Sequence, residues 1–369
     1  MMIDFIIPLR DYAFYFYQVI FGICLITYVH TFVLTGYEKK TYNYNRTLSI
    51  VLLLFIVLYI GLRPISEYYF IDMATYAQTF QQFKNGMQIK PGGDLAFELF
   101  LKICSHLMTV KVFFFICALI YILPLFIAVK KWFPNYYFFA FLLLVGSFSF
   151  LTYGTNGIRN GMATSLFILG LSYVRKNHIK MISIIIISVM FHKSMTLPAL
   201  ALLVSFFLTD TKKYFMFWGL SIVLSLVMGG VWIQLFASLG FGDDRLTSYL
   251  TAQADPSQFS STGFRFDFLI YSAAPLALAY FYVIKKGFKD VVYKHILHTY
   301  IIANAFWVMV IRANFSNRFA YLSWFLMALV VGYPLFKGLF WNHQFKKIGI
   351  VIMAYYAFTY FMFYYYEFR

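Results

Sequence analysis

Apolar runs of about 15 to 22 residues recur from one end of this chain to the other, close to the roughly 20 residues a helix needs to cross a bilayer. Inside lipid every backbone N–H and C=O must find its partner within the protein, so such runs fold as helices. The composition agrees. Of 369 residues, 62% are hydrophobic, 22% aromatic and only 12% charged, with a mean hydropathy of +0.73, whereas a soluble domain of this size needs far more surface charge. The fold expected is all-α: a single integral membrane domain over 1–369, a multi-pass bundle of about twelve transmembrane helices. The spans are read at 14–35, 47–62, 112–129, 136–152, 158–174, 179–192, 195–209, 214–232, 265–284, 294–311, 318–336 and 347–366.

Charge sets the orientation. The net charge of +16 is topological signal rather than a nucleic-acid footprint, and nucleic acid is excluded as a partner. Clusters such as Tyr42, Tyr44 and Arg46 fit interfacial anchors better than base-stacking platforms. Placing Lys39, Lys40 and Arg46 in the cytoplasm and alternating puts Lys130-Lys131, Arg175-Lys176-Lys180, Lys212-Lys213, Lys285-Lys286-Lys289-Lys294 and Lys337-Lys346-Lys347 inside too. Every short inside loop then obeys the positive-inside rule, and both termini lie outside. Asp4, Arg10 and Asp11 make the N-terminal segment too polar for a cleaved signal peptide. Of the ten arginines eight fall outside: Arg10, Arg63, Arg159, Arg245, Arg265, Arg312, Arg318 and Arg369. Lysine serves a solvated loop as well as arginine does, but only arginine grips phosphate or carboxylate with a planar fork.

Two outer segments are long. Residues 63–111 carry two amphipathic stretches that lie in the outer interface. In the first, Met73, Tyr76, Phe80 and Phe83 form a stripe, with Asp72 as cap; in the second, Leu95, Leu99, Ile103 and Leu107 do, with Asp94 as cap. Pro91-Gly92-Gly93 turns the chain between them. Residues 233–264, rich in Gly, Ser, Asp, Gln and Thr, read as a mobile loop and lid.

The chemistry-bearing residues sit at the outer ends of the spans. Arg159 follows Asn156, a natural cap for a helix starting near Gly157, so its guanidinium joins the unpaired N–H groups of a helix N-terminus in an anion site. Asn160 is its neighbour. A structural alternative is an arginine snorkelling from a helix end. His192 and Lys193 break an apolar stretch at an outer turn, where an imidazole could orient or deprotonate a hydroxyl, or simply hydrogen-bond. Arg63, Glu67 and Asp72 follow the second span; either acid could be a general base or a salt-bridge partner. Arg312 and Arg318 bracket a short turn and could converge on one diphosphate, and Arg265 opens another span two residues before Asp267. Several gathered cations would cost about 2.5–3.5 kcal/mol each on insertion scales, so an anion should neutralise them. Three cysteines, Cys24, Cys104 and Cys117, give neither a disulfide framework nor a metal spacing. With no Walker loop, dinucleotide fingerprint or His-Glu-x-x-His, ATP, NAD and zinc are not expected. The adjacent acids Asp243-Asp244 read as loop charges.

At these residues the chain resembles the EpsG/Wzy-like family of bacterial polysaccharide polymerases. The matching pieces are Arg63 followed by Asp72 and Tyr76, Asn-x-x-Arg at Asn156–Arg159, Phe-His-x-Ser at Phe191–Ser194, and Arg318-Phe319. It departs in having Arg159-Asn160 where the family often has Arg-Gln, and Phe70-Ile71-Asp72 where it has Gly-x-Asp. The resemblance implies a GT-C-like bundle in the bacterial inner membrane with its active site facing the periplasm. It implies polymerisation of repeat units on undecaprenyl diphosphate, inverting, without a metal ion or cofactor. A chain-length regulator protein and membrane lipid are the implied partners. In this reading Arg159, Arg312 and Arg318 hold the diphosphate, Arg63 and Arg265 lie behind them, Asp72 or His192 activates the acceptor, and Tyr76 and Tyr321 line the sugar path. A ligase or a flippase would share the lipid-linked ligand; the flippase should show internal hydropathy repeats, which are not evident here.

Overall fold

A computed structural model describes residues 7–34, 36, 39–89, 92–239, 263–313 and 316–367. Outside them lie Asp4, Glu38, Pro91, Asp243-Asp244, Arg245, Asn314 and Arg369, and most of the expected loop at 233–264. The described elements run α1 (Tyr12–Val33), α2 (Lys39–Gly61), α3 (Ile71–Lys84), α4 (Leu95–Leu107), α5 (Val110–Trp132), α6 (Tyr137–Val145), α7 (Phe150–Thr155), α8 (Ile158–Leu171) and α9 (His178–Phe191). There follow α10 (Thr196–Phe207), α11 (Thr211–Leu239), α12 (Phe266–Tyr280), α13 (Val291–Met309), α14 (Ser316–Trp324), α15 (Met327–Lys337) and α16 (Gln344–Glu367).

Among the described residues seven helices are long and apolar enough to cross a membrane: Leu9–Val33, Thr41–Gly61, Val110–Trp132, Thr211–Leu235, Phe266–Lys285, Arg318–Lys337 and Gln344–Glu367. The protein is a multi-pass helical bundle. Of the other expected spans, 294–311 lies on one continuous 19-residue helix, Val291–Met309, and the remaining four are helical but shorter or interrupted. The run 136–152 divides at Gly146, where Thr359 donates to the Gly146 carbonyl at 2.8 Å. A side chain's oxygen there takes the place of a continuing helical bond. The run 158–174 ends as α8 at Leu171, about 20 Å long at 1.5 Å per residue.

The helices form two compact units, Met1–His192 with Leu335–Arg369, and Lys193–Pro334. In the first, α5 packs on α8 and α2, α8 on α9, and α1 on α16. Tyr12 and Tyr59 lock α1 to α2 reciprocally, each hydroxyl donating to the other's backbone carbonyl at 2.8 and 2.6 Å. Such bonds satisfy phenols that burial would otherwise leave without water. In the second unit α13 packs on α10, α11 and α14. At its centre Asn304 accepts from the Trp218 indole at 2.8 Å and donates to the hydroxyls of Ser272 and Ser323 at 3.1 and 3.0 Å. Trp324 also donates to Ser272, at 2.8 Å. Four helices are thus tied to one fully buried amide.

Both amphipathic stretches are helices. On α3, Met73, Phe80 and Phe83 are buried and the glutamines exposed, as the spacing requires. On α4 the stripe Leu95, Leu99, Ile103 and Leu107 is exposed while Phe97, Leu101 and Cys104 turn inward. The apolar stripe of α4 therefore faces outward, opposite to the side that packs on the protein.

Candidate functional site

Arg159 occupies the second position of α8, after Gly157 as N-cap. The expected cap, Asn156, does not cap it. Asn156 still has helical angles, φ −108° and ψ −59°, at the end of α7, whereas a capping side chain needs extended backbone. Its side-chain oxygen is buried without a hydrogen-bond partner. The reversal from α7 to α8 is tight: a Cβ on Gly161 would lie 2.6 Å from the Tyr153 carbonyl oxygen, so only glycine lets α8 start there.

The Arg159 guanidinium is held on two sides. Its Nε donates to the Tyr76 hydroxyl at 2.8 Å and Nη1 to Asp94 Oδ2 at 2.5 Å. Its Cζ lies 5.5 and 5.6 Å from the ring centres of Tyr76 and Phe97. The pair is mostly enclosed, with the two side chains 15% and 8% exposed. Nη2 makes no hydrogen bond among the described residues, and it is not among the buried orphan atoms. A cation at a helix N-terminus sits at the wrong end of the helix dipole; a carboxylate offsets that, and Asp94 supplies it. Asp72, one turn before Tyr76, is exposed and within electrostatic reach of Arg159.

Neither acid caps as expected. The N-cap of α3 is Phe70, leaving Asp72 in the first turn. Asp94 does sit at the N-cap of α4, but its side chain makes no capping bond; it is turned to Arg159 instead. Asp94 and Phe97 are the site residues the sequence reading missed as such. Asp94 read there as a local helix signal, and nothing near it in sequence marks a partner 65 residues away.

Arg63 is deeply buried, 5% exposed. Its Nη1 donates to the Ile60 carbonyl and its Nη2 to that of Thr155, the latter at 3.1 Å. Phe70 and Phe114 face it with ring centres at 5.7 and 6.0 Å, and Nε has no partner. Burial pulls its pKa below the usual guanidinium value, against the opposing pull of Tyr12 and Cys117. These bonds fasten the end of α2 to the end of α7, four residues before Arg159. Glu67 is exposed, and His192, half-buried, ends α9. Asn160 donates to the Tyr153 hydroxyl at 3.4 Å.

In the second unit, Arg265 forks onto Asp267, Nε to Oδ1 at 2.9 Å and Nη2 to Oδ2 at 2.6 Å, with Phe268 beneath it at 4.0 Å. Arg312 and Arg318 are exposed, and Arg312 lies 5.8 Å from the Phe264 ring centre. Part of the turn joining them falls outside the described residues. Tyr321 and Lys193 are half-buried. The expected anion for these cations is thus partly the protein's own, at Asp94 and Asp267. Among the described residues no set of three His, Cys, Asp or Glu is placed to hold a metal ion.

The sequence profile described as the EpsG family matches residues 46–369. No curated protein and no solved structure matches the chain.

Proposed function

This chain belongs to the EpsG family, and from that premise we propose that it is a polysaccharide polymerase of lipid-linked repeat units. The donor is a growing glycan on undecaprenyl diphosphate, and the acceptor is a sugar hydroxyl on another lipid-linked unit. The reaction takes place at the periplasmic face of the bacterial inner membrane. The twelve-span, GT-C-like topology with both termini outside belongs to the same proposal.

The observation that carries it is the Arg159 site: a guanidinium at a helix N-terminus, gripped by Tyr76 and Asp94, with Nη2 left for a ligand. In glycan transfer the acceptor oxygen bonds to the anomeric carbon from the face opposite the leaving group, and the carbon–oxygen bond to phosphate breaks. The electron pair departs with the diphosphate, whose growing charge Arg159 stabilises in place of a metal ion. The acceptor proton passes to Asp72 or His192. Arg312, Arg318 and Arg265 provide further cations for the lipid-linked substrate, with Lys193, Asn156, Asn160 and Glu67 as additional polar contacts. Tyr76 and Tyr321 offer aromatic faces to sugar. Arg63 acts from behind, fixing the backbone that presents Arg159. A chain-length regulator is the expected protein partner.

Purified protein given defined lipid-diphosphate repeat units and chelator is expected to build a ladder of products. No ladder, but transfer to a different lipid acceptor, would make it a ligase. No transfer at all, with units moved between leaflets of a vesicle, would make it a transporter.

A further inference from the structure

We propose that Asp94 is a built-in occupant of the anion site, which the substrate's diphosphate displaces from Arg159, and that Asp94 then caps α4. The inference rests on the reading above that Arg159 receives a diphosphate. Two sets of donors bear on the Asp94 carboxylate in this proposal. The first is Arg159 Nη1, the contact observed at 2.5 Å. The second is the first turn of its own helix. Asp94 holds the N-cap position of α4, yet makes no capping bond, although aspartate is among the side chains most favoured there. The amides of Ala96 and Phe97 are those an α-helix leaves without an intrahelical acceptor. The α4 dipole favours a carboxylate at that end.

An arriving diphosphate and the Asp94 carboxylate cannot share one guanidinium edge in a largely enclosed site without strong repulsion. Exchange relieves it. The carboxylate swings to the α4 amides, so it is not stranded, and the phosphate oxygens take Nη1 and Nη2. Tyr76 keeps its hold on Nε throughout, so the guanidinium stays in place. The resting ion pair thereby keeps the site filled when no lipid-linked donor is present, and it sets how tightly a bare anion can bind.

The test uses the full chain in nanodiscs with inorganic pyrophosphate as probe. Asp94→Asn removes the competing charge, and Asp94→Ser keeps a capping oxygen without it. Both variants are expected to bind pyrophosphate about tenfold more tightly than the wild type, with the donor KM falling in step. A carboxylate that merely holds Arg159 in shape predicts the opposite sign. Equal or weaker binding by both variants, with wild-type binding measurable, would overturn the exchange and leave the polymerase reading standing. Binding by none of the three proteins would overturn both.

Discussion

Arg63 and Arg159 are linked through one short stretch of backbone, yet their surroundings differ in kind. Arg63 donates to the carbonyl of Thr155, and Arg159 follows four residues later with a carboxylate and a phenol for partners. The carbonyls around Arg63 are neutral and fixed in the chain, and two aromatic rings close over the group. None of these partners is a mobile anion that a ligand could replace, so the proposed part for Arg63 is to hold backbone in place. The partner of Arg159 is itself an anion on a rotatable side chain, and an anion is what a second anion can replace. In the proposed reading the two arginines thus divide into a fastener and a receiver, according to whether the acceptor is backbone or carboxylate.

Substitution can break this comparison at either end. The largest effect is expected at Arg159→Lys, which keeps the charge and loses the fork; polymerisation should fall about 10²- to 10³-fold. Glycan length on a gel, with membrane levels of the protein checked by immunoblot, reads it, and normal-length polymer would remove Arg159 from the chemistry. Next comes Arg63→Met, which leaves two buried carbonyls without donors and should cost about 2 kcal/mol of stability. Thermal unfolding in detergent should show the loss, while turnover per folded molecule changes little. Lost turnover at unchanged stability would instead make Arg63 a substrate contact. Tyr76→Phe removes one bond to Arg159 and is expected to raise the donor KM about fivefold, in line with roughly 1 kcal/mol for a single hydrogen bond. The smallest change belongs to Asp267→Asn. In its bidentate pair with Arg265 the carboxylate is 47% exposed, and pairs open to solvent contribute about 0.5 kcal/mol, so chain length should be unaffected.

Much of the helical plan was legible because apolar run length maps directly onto helices that must satisfy their own backbone. The stripe on α3 could be read for the same reason: periodicity is a local property. What escaped was set by contacts between distant segments. The break at Gly146 lies within an apolar run, and the group that takes up its carbonyl, the Thr359 hydroxyl, is 213 residues away. Arg159 could be singled out as a cation at a helix start, but its carboxylate could not. Asp94 carried an adequate local explanation as a cap, which concealed its link to α8. Arg63 read as a cation at a membrane lip, because sequence alone does not distinguish a guanidinium facing water from one turned onto backbone carbonyls. The assignment of Asn156 as a cap failed because α7 keeps helical geometry through that residue.

The central claim is that Arg159 receives a lipid-borne diphosphate. Its most direct test is the affinity of the purified protein and its Arg159→Lys variant for undecaprenyl diphosphate in nanodiscs without metal. A loss of about tenfold or more in the variant, with the fold intact, is expected where a planar fork gives way to a point charge. Equal affinity in the two proteins would contradict it.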